Sequence, residues 1–236
     1  MVSVDATAGE GQRLRGKIAL VAPVLRAAGR RFSTHPGLRA LYPEYLSTSH
    51  CVVRASVPLM EAALRRAEAL DDLPARRLVP YLHHHIVEER GHDEWLLEDL
   101  ESVGVERASV VCRPPPPAVA TLVGAQYYWL LHYHPVALLG YMAVLEGNPP
   151  SPAQVASMTE RTGFPARAFR TLLEHADLDP GHGDEVFGLL DELALTEDLS
   201  GVLGLSAMHT VVSLAAVIDG IVDGDAADTG GARPPS

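Results

Sequence analysis

The chain has 236 residues, of which 47% are hydrophobic and 21% are charged, so it is long enough to bury a core as one domain. Its 30 acidic residues outnumber the 19 basic ones and give a formal net charge of -11, which argues against non-specific binding to nucleic acid or to an anionic membrane. The two cysteines are too few for a disulfide framework or a cysteine zinc site, and they are typical of a reducing compartment. We therefore expect a cytoplasmic protein.

The two ends of the chain lack any periodicity. Residues 1–10 and 224–236 are small and polar, which predicts disordered termini on either side of a helical domain spanning residues 11–223. No apolar run is expected to reach the length needed to span a bilayer, because the best candidate, Ile18 to Leu25, is too short and contains Pro23. We interpret it as part of an amphipathic first helix and expect no membrane-spanning segment.

Apolar residues recur at helical spacing through most of the chain, and strand-like alternation is nearly absent. Breaks that contain proline, glycine or capping residues separate these segments, at 35–37, 71–74, 104–117, 148–152, 163–165, 177–181 and 196–200. No repeat of fixed period is present. The pattern predicts an all-α, single-domain bundle of about seven helices.

The first metal-ligating pattern lies on a helix predicted from about Ala75 to Val103. One face of this helix recurs at steps of four and three and consists of Leu78, Leu82, His85, Glu89, His92, Leu96 and Asp99. Glu89 and His92 have the Glu-x-x-His spacing by which helix bundles hold carboxylate-bridged iron. A solvated helix face is the alternative, because this pair often arises by chance.

The second pattern consists of His175, Asp179 and His182, at positions i, i+4 and i+7. On a continuous helix the three would share one face. Pro180 and Gly181 favour a different interpretation, in which Asp179 caps a new helix that has Pro180 at its first position. Two imidazoles and a carboxylate suit iron, manganese or zinc better than calcium or magnesium.

The third element is Glu146, which follows a helix predicted from Val119 to Leu145 and kinked by Pro135. Alone, Glu146 is typical of a surface acid at a helix end. Four tyrosines accompany it in this part of the chain: Tyr127, Tyr128, Tyr133 and Tyr141. Combined with the first two patterns, Glu146 completes a donor set of three carboxylates and three imidazoles on separate helices, which is the composition of a two-metal site.

Three segments in this order carry a resemblance to a known family: EERGHDEWLLEDLESVG at 88–104, HPVALLGYMAVLEG at 134–147 and EHADLDPGHGDEV at 174–186. Over roughly residues 44–220 the sequence resembles the heme-oxygenase-like diiron oxidases and oxygenases, often labelled iron-containing redox enzymes. The resemblance implies two iron ions, one held by Glu89, His92 and His175 and the other by Glu146, Asp179 and His182. Glu88 competes with Glu89 for the first carboxylate position. His85 is expected to be a core histidine, with a supplementary ligand or a hydrogen-bond donor to a ligand as alternatives.

The resemblance also implies an activity. Two ferrous ions would reduce O2 to a peroxo-diiron(III) species that oxidises a small amine or amino acid, with N-oxygenation favoured. Desaturation or oxidative C–C cleavage of an amino acid or fatty acid is the alternative, and a cofactorless oxidase or a non-enzymatic iron-binding bundle is the second. A heme oxygenase is disfavoured because heme degradation needs neither the carboxylate set nor His175, Asp179 and His182. A thiaminase-like enzyme is disfavoured because Cys112 in a proline-rich loop is poorly placed as a nucleophile. The partners implied are the substrate, O2, an external electron source and a second copy in a homodimer.

Overall fold

The computed structural model describes residues 9–147 and 150–229, and the side chains of residues 177–180, 182 and 225–229 lie outside that description. Within these ranges the chain forms eleven α-helices, two 3-10 helices and no strand, which confirms the predicted all-α architecture. The α-helices are α1 (Glu10–Ser33), α2 (Leu38–Val53), α3 (Ser56–Glu68), α4 (Leu73–Glu89), α5 (His92–Ser102), α6 (Arg107–Val111), α7 (Pro117–His132), α8 (Leu138–Leu145), α9 (Pro152–Thr162), α10 (Arg170–Glu192) and α11 (Glu197–Thr229). The 3-10 helices are Pro135–Ala137 and Ala166–Phe169.

The helices outnumber the seven or so predicted, partly because the helix predicted over residues 75–103 is divided. It ends as α4 at Glu89 and resumes as α5 at His92. Gly91 between them has a φ of 97°, in the left-handed region that a residue without a Cβ adopts at little cost. The polar groups at this junction therefore come from two helix ends rather than from one continuous helix.

The helix predicted over residues 119–145 is also divided, at the position where a kink was expected. α7 ends at His132, and His134 is extended, with φ -151° and ψ 138°. Pro135 lacks a backbone donor and starts a 3-10 helix, in which the amide of Val136 donates to Nδ1 of His134 at 3.1 Å. The following helix α8 is short and leaves Glu146 at its carboxyl end.

Helix α10 is continuous, so the prediction of a new helix capped by Asp179 was wrong. A proline inside a helix loses one hydrogen bond and costs about 3 kcal/mol. The helix continues through Pro180 because its flanking turns pack against α1, α5 and α8. Three other prolines also lie inside helices: Pro23, Pro43 and Pro80. Positions 175, 179 and 182 consequently recur at steps of four and three along one helix.

The described helices extend slightly beyond residues 11–223 at both ends. Glu10, placed in the predicted N-terminal tail, is the first residue of α1 and is buried. It accepts a hydrogen bond from Ser200 Oγ at 2.6 Å and pairs with Arg13. At the other end, α11 continues past the predicted boundary at 224 to Thr229. Residues 1–8 and 230–236 lie outside the described residues.

The last helix, α11, packs along α1 and also contacts α7 and α8. Lys17 Nζ donates to the carbonyl oxygen of Ser200 at 3.0 Å, which helps to hold the first and last helices together. Over Glu197–Gly224, α11 is long and apolar enough to cross a membrane by length and composition, so the expectation that no segment reaches this length was wrong. Half of its most apolar window is buried, which is the setting of a core helix.

A second apolar cluster fixes the start of α10. The ring of Tyr42 in α2 stacks on Phe169 with 4.5 Å between centroids, and its hydroxyl donates to the carbonyl oxygen of Ala168 at 2.8 Å. The carboxylate of Asp99 in α5 is fully buried and accepts the amide N–H of Thr171 at 3.0 Å. Helix α10 is thereby anchored to α2 and α5 immediately before its first histidine.

Candidate metal centre

The junction between α4 and α5 brings Glu89 and His92 into contact. The distance from Oε2 of Glu89 to Nδ1 of His92 is 3.2 Å, and both side chains are nearly enclosed. The contact arises because the chain turns at Gly91, whose backbone lies between the two helix ends. The predicted adjacency of Glu89 and His92 is present, although the predicted cause, a shared face of one helix, was wrong.

His175 of α10 completes a compact group with these two residues. One ligand atom from each of Glu89, His92 and His175 can be chosen so that all three lie within 4.8 Å of one another. The rings of His92 and His175 meet edge to face at 5.1 Å between centroids, and Trp95 stacks on His92 at 4.1 Å. The group thus has a tryptophan wall, and its three donors come from the α4–α5 junction and α10.

A hydrogen bond within α10 orients the ring of His175. Its Nδ1 lies 2.8 Å from the carbonyl oxygen of Thr171, an acceptor that requires a proton on Nδ1. The neutral ring then carries its lone pair on Nε2, which is the form in which histidine binds a metal ion. This bond lies next to the one between Thr171 and Asp99, so the orientation of His175 is linked to the anchor on α5.

Glu146 lies in a second polar contact, with His85. The distance from Nε2 of His85 to Oε1 of Glu146 is 2.9 Å, and the side chains are 1% and 10% exposed. The other ring nitrogen of His85 lies 3.5 Å from Glu88, and Tyr81 stacks on the ring at 5.4 Å between centroids. Glu146 is therefore a buried acid rather than the surface acid that its position at a helix end suggests in isolation.

These two groups border one cavity of about 160 Å³. Its polar side chains include Glu89, Glu146, His85 and His175. The remaining walls are largely apolar: Val52, Val53, Leu59, Met60, Leu138, Met142 and Leu145, with Ser56 and Tyr141 among them. The cavity therefore combines a carboxylate–imidazole end with an apolar compartment.

The carboxylates and imidazoles shift one another's pKa values. Burial alone would raise the pKa of Glu89, but the hydrogen bond with His92 and the neighbouring histidine rings lower it below its ordinary value. Burial alone would lower the pKa of His85, but its hydrogen bond to Glu146 and the surrounding carboxylates raise it. Glu89 is thus kept ionised in an enclosed position, and the ionised form is the one that binds a metal ion.

The side chains of Asp179 and His182 lie outside the described residues, so their role as ligands stays a prediction. The backbone around them is described. A Cβ built on Gly183 would lie 3.5 Å from the backbone oxygen of Glu146, so this turn of α10 passes beside Glu146. Of the two competing acids, Glu89 joins His92 and His175, whereas Glu88 faces His84 at 3.3 Å and His85.

Other polar residues considered from the sequence lie elsewhere. His209 of α11 shares a hydrogen bond with Ser213 at 3.2 Å, packs edge-on against Trp129 and does not border the cavity. Of the four tyrosines, Tyr141 lines the cavity, whereas Tyr127 lines a separate one and Tyr128 and Tyr133 are exposed. Neither Cys51, which is buried, nor Cys112, which is exposed, borders the 160 Å³ cavity.

The contact of His85 with Glu146 is the feature that sequence reasoning weighted too little. His85 and Glu89 are one helical turn apart, which indicated that they share a face. This spacing did not reveal that His85 contacts Glu146 at the end of α8. A donor set of two imidazoles and one carboxylate is one that non-heme Fe(II) oxygenases use, and here His92 is buried while Glu89 and His175 are partly buried. The described residues Glu89, His92 and His175 therefore fit an iron ion by their chemistry.

Comparisons with known proteins agree with this chemistry. The sequence profile of the iron-containing redox enzyme family matches residues 44–211, more than two thirds of the chain. No curated protein sequence matches it significantly. A domain of unknown function with a heme oxygenase-like fold from Shewanella denitrificans OS217 is 21% identical, with a TM-score of 0.79 over 100% of both chains.

A second solved structure, a TenA homolog from Pseudomonas syringae pv. tomato str. DC3000, is 13% identical, with a TM-score of 0.69 over 93% of this chain and 96% of that one. At these identities the likeness establishes the heme oxygenase-like fold alone. The family match goes further, and its description indicates an oxidoreductase. With the fold and the family profile in agreement, the chain belongs to the iron-containing redox enzymes.

Proposed function

We propose that the protein is an O2-dependent non-heme diiron oxidoreductase that oxidises a small amine or amino acid, most directly by N-oxygenation. The observation that carries this proposal is the buried group of Glu89, His92 and His175 at the polar end of a cavity that Glu146 also borders. Bound iron would supply redox chemistry with dioxygen that protein side chains lack.

The proposed division of ligands follows the grouping of side chains. Glu89, His92 and His175 would hold one iron, because their donor atoms lie within 4.8 Å of one another. Glu146 would hold the second iron together with Asp179 and His182. This part of the proposal is supported by the passage of α10 beside Glu146 and by the continuity of α10 from residue 175 to 182.

His85 is proposed as a positioning residue for Glu146. Its Nε2 can donate to Oε1 of Glu146 at 2.9 Å, which fixes one oxygen of the carboxylate and orients the other. The hydrogen bond to Glu146 and the surrounding carboxylates raise the pKa of His85 against the effect of burial, which favours donation from Nε2 to the carboxylate. His85 would therefore act through Glu146, without touching the reacting atoms.

The dimensions of the cavity favour a small substrate. An apolar cavity of about 150 Å³ is large enough for benzene, and the cavity here measures about 160 Å³. A long acyl chain would exceed this volume, so the cavity favours a small substrate over the fatty-acid alternative. The walls beside the polar end are mostly aliphatic, so we infer an amine or amino acid with a compact apolar portion, its nitrogen directed toward the ligand side chains.

The test is anaerobic titration of metal-free protein with Fe²⁺, comparing wild type, His175→Ala and the control His83→Ala. His83 is exposed and faces Glu68 at 3.6 Å. We expect about two ions per chain in wild type and control and fewer in His175→Ala. Each loaded protein is then mixed with O2, with and without a reductant, against a panel of small amines, amino acids and short carboxylic acids.

Substrate-dependent O2 consumption with an N-oxygenated product is the expected result. A desaturated or cleaved product would support the diiron centre but would show that the reaction is not N-oxygenation. Iron uptake that His175→Ala leaves unchanged, or no uptake by wild type, would refute the metal centre and leave a cofactorless oxidase or a structural bundle. Iron binding without any substrate-dependent O2 consumption across the panel would favour a non-enzymatic iron-binding protein.

A further inference from the structure

A row of carboxylates and imidazoles connects the protein surface to the buried cavity. His84 Nε2 lies 3.3 Å from Oε1 of Glu88, and Oε2 of the same carboxylate lies 3.5 Å from Nδ1 of His85. His85 reaches Glu146 at 2.9 Å through its other nitrogen. The side-chain exposure is 62% at His84, 31% at Glu88 and 1% at His85. Every member of this row is a type of residue that binds divalent metal ions.

The outer end of the row has the composition and spacing of a metal site. Glu185 lies on a different helix, α10, and one ligand atom from each of His84, Glu88 and Glu185 lies within 4.8 Å of the others. Ligands about 2.0–2.2 Å from an ion lie up to about 4.4 Å apart, so small side-chain adjustments would place all three around one ion. The imidazole and two carboxylates suit Fe²⁺, Mn²⁺ or Zn²⁺.

Two features distinguish this cluster from an ordinary pair on a helix surface. A lone His84–Glu88 contact at i, i+4 would be a common surface feature. Here the third donor comes from α10, which also carries His175 of the buried group. In addition, the Glu88 carboxylate contacts exposed His84 with one oxygen and enclosed His85 with the other. The cluster is therefore continuous with the buried centre.

We propose that His84, Glu88 and Glu185 form a surface site that captures a divalent metal ion and passes Fe²⁺ inward along His85 and Glu146. The delivery part rests on the function proposed above, whereas capture at the surface does not. A buried centre needs such a route because moving an unpaired ion across apolar walls is prohibitively unfavourable. The protein's net charge of -11 raises the local concentration of cations at the entrance.

The capture site is tested with Mn²⁺, using electron paramagnetic resonance of the unbound ion. The titration is performed in a His175→Ala/Glu146→Ala background, in which each of the two proposed iron sites has lost a donor. We expect one Mn²⁺ to bind, and its affinity to fall by about tenfold or more on adding His84→Ala or Glu185→Gln. The control His83→Ala should leave this affinity unchanged, because His83 belongs to no three-donor group among the described residues. Mn²⁺ binding that is indifferent to His84 and Glu185 would overturn the surface site.

The delivery role is tested by the rate at which metal-free protein with His175 intact takes up metal. Anaerobic mixing with Co²⁺, followed by its visible absorption, should show uptake slowed by about tenfold in His84→Ala and Glu185→Gln. The final content of buried metal, taken as the Co²⁺ that depends on His175, should equal that of wild type and of His83→Ala. Equal rates in all four proteins, or a lower final content of this buried metal in the two surface variants, would overturn delivery through this site. Failure of the diiron proposal itself is distinguishable, because wild type would then hold no metal that depends on His175.

Discussion

Gly140 offers a direct test of the packing that positions Glu146. It lies in α8 at the crossing with α11, where the two backbones are in close contact. A Cβ added at Gly140 would overlap the carbonyl oxygen of Leu203 and would lie 2.9 Å from the amide nitrogen of Ala207. Both neighbours are backbone atoms of α11, so a side-chain rotation cannot relieve the contact. We predict that Gly140→Ala separates α8 from α11.

The expected cost follows from two opposing terms. Overpacking a well-packed core typically costs about 1–3 kcal/mol, and the upper end applies because helix backbones must move. Replacing glycine by alanine inside a helix by itself stabilises the helix by about 1 kcal/mol. The free energy of unfolding should therefore fall by about 2 kcal/mol, and the Tm by about 4–8 °C for a chain of this length. Displacement of α8 should also weaken iron binding, because Glu146 follows directly on this helix.

Thermal and urea unfolding of metal-free protein provide the assay, with Gly16→Ala as the matched control. Gly16 lies inside α1, and a Cβ there has nothing within 4 Å. The control should gain about 0.4–1 kcal/mol from the reduced entropy of the unfolded chain. A Gly140→Ala protein that is as stable as the control would show that α8 and α11 do not approach as closely as described, and the reasoning would be refuted.

Three further predictions concern the anchors of the site. Tyr42→Phe leaves a buried carbonyl oxygen without its donor and should lower the free energy of unfolding by about 1–2 kcal/mol in urea titrations, whereas no change would mean that this hydrogen bond contributes nothing. Asp99→Ala should lower the free energy of unfolding by about 1–2 kcal/mol in the same measurement. Asp99→Asn should lower it less, because the amide oxygen of asparagine can still accept the hydrogen bond from Thr171. Equal losses in the two variants would contradict the anchoring role of Asp99. Burial opposes the charged ring of His85, but the contact with Glu146 and the nearby carboxylates raise its pKa. The stabilisation that His85 gives to metal-free protein is therefore complete below the unfolded pKa of about 6.5, and it is lost as the pH rises through the higher folded pKa. The Tm of His85→Gln should therefore decline less above pH 6.5 than that of wild type, and parallel declines would reject this assignment.

The sequence was sufficient to predict the helical architecture and the buried face of residues 78–99. Spacing at steps of four and three identifies such a face because it reflects the period of the helix itself. The same spacing could not reveal the break at Gly91, since a single left-handed residue interrupts the helix while leaving Glu89 and His92 in contact. Glu89 and His92 are therefore adjacent as predicted, but the turn at Gly91 rather than a shared helix face brings them together.

Contacts between distant helices were beyond what periodicity can supply. The hydrogen bond between His85 and Glu146 joins residues 61 positions apart, and no local rule links them. Local rules also failed at Pro180, where the preference of proline for a first helical turn was outweighed by packing along the whole of α10. Capping rules describe the conformation that a short segment prefers in isolation. The extent of a long helix depends more on its packing against the rest of the protein.

The pairing of α1 with α11 has a consequence for how the protein is made. Lys17 and Arg31 of α1 contact Ser200 and Asp223 of α11 across sequence separations of 183 and 192 residues. At about 5–20 residues per second, translation takes about 10–40 s to bridge such a gap. During this interval the apolar face of α1 has emerged from the ribosome while its partner has not been synthesised. An apolar helix face without its partner promotes aggregation, so a chain truncated before α11 should aggregate rather than fold into a smaller working protein.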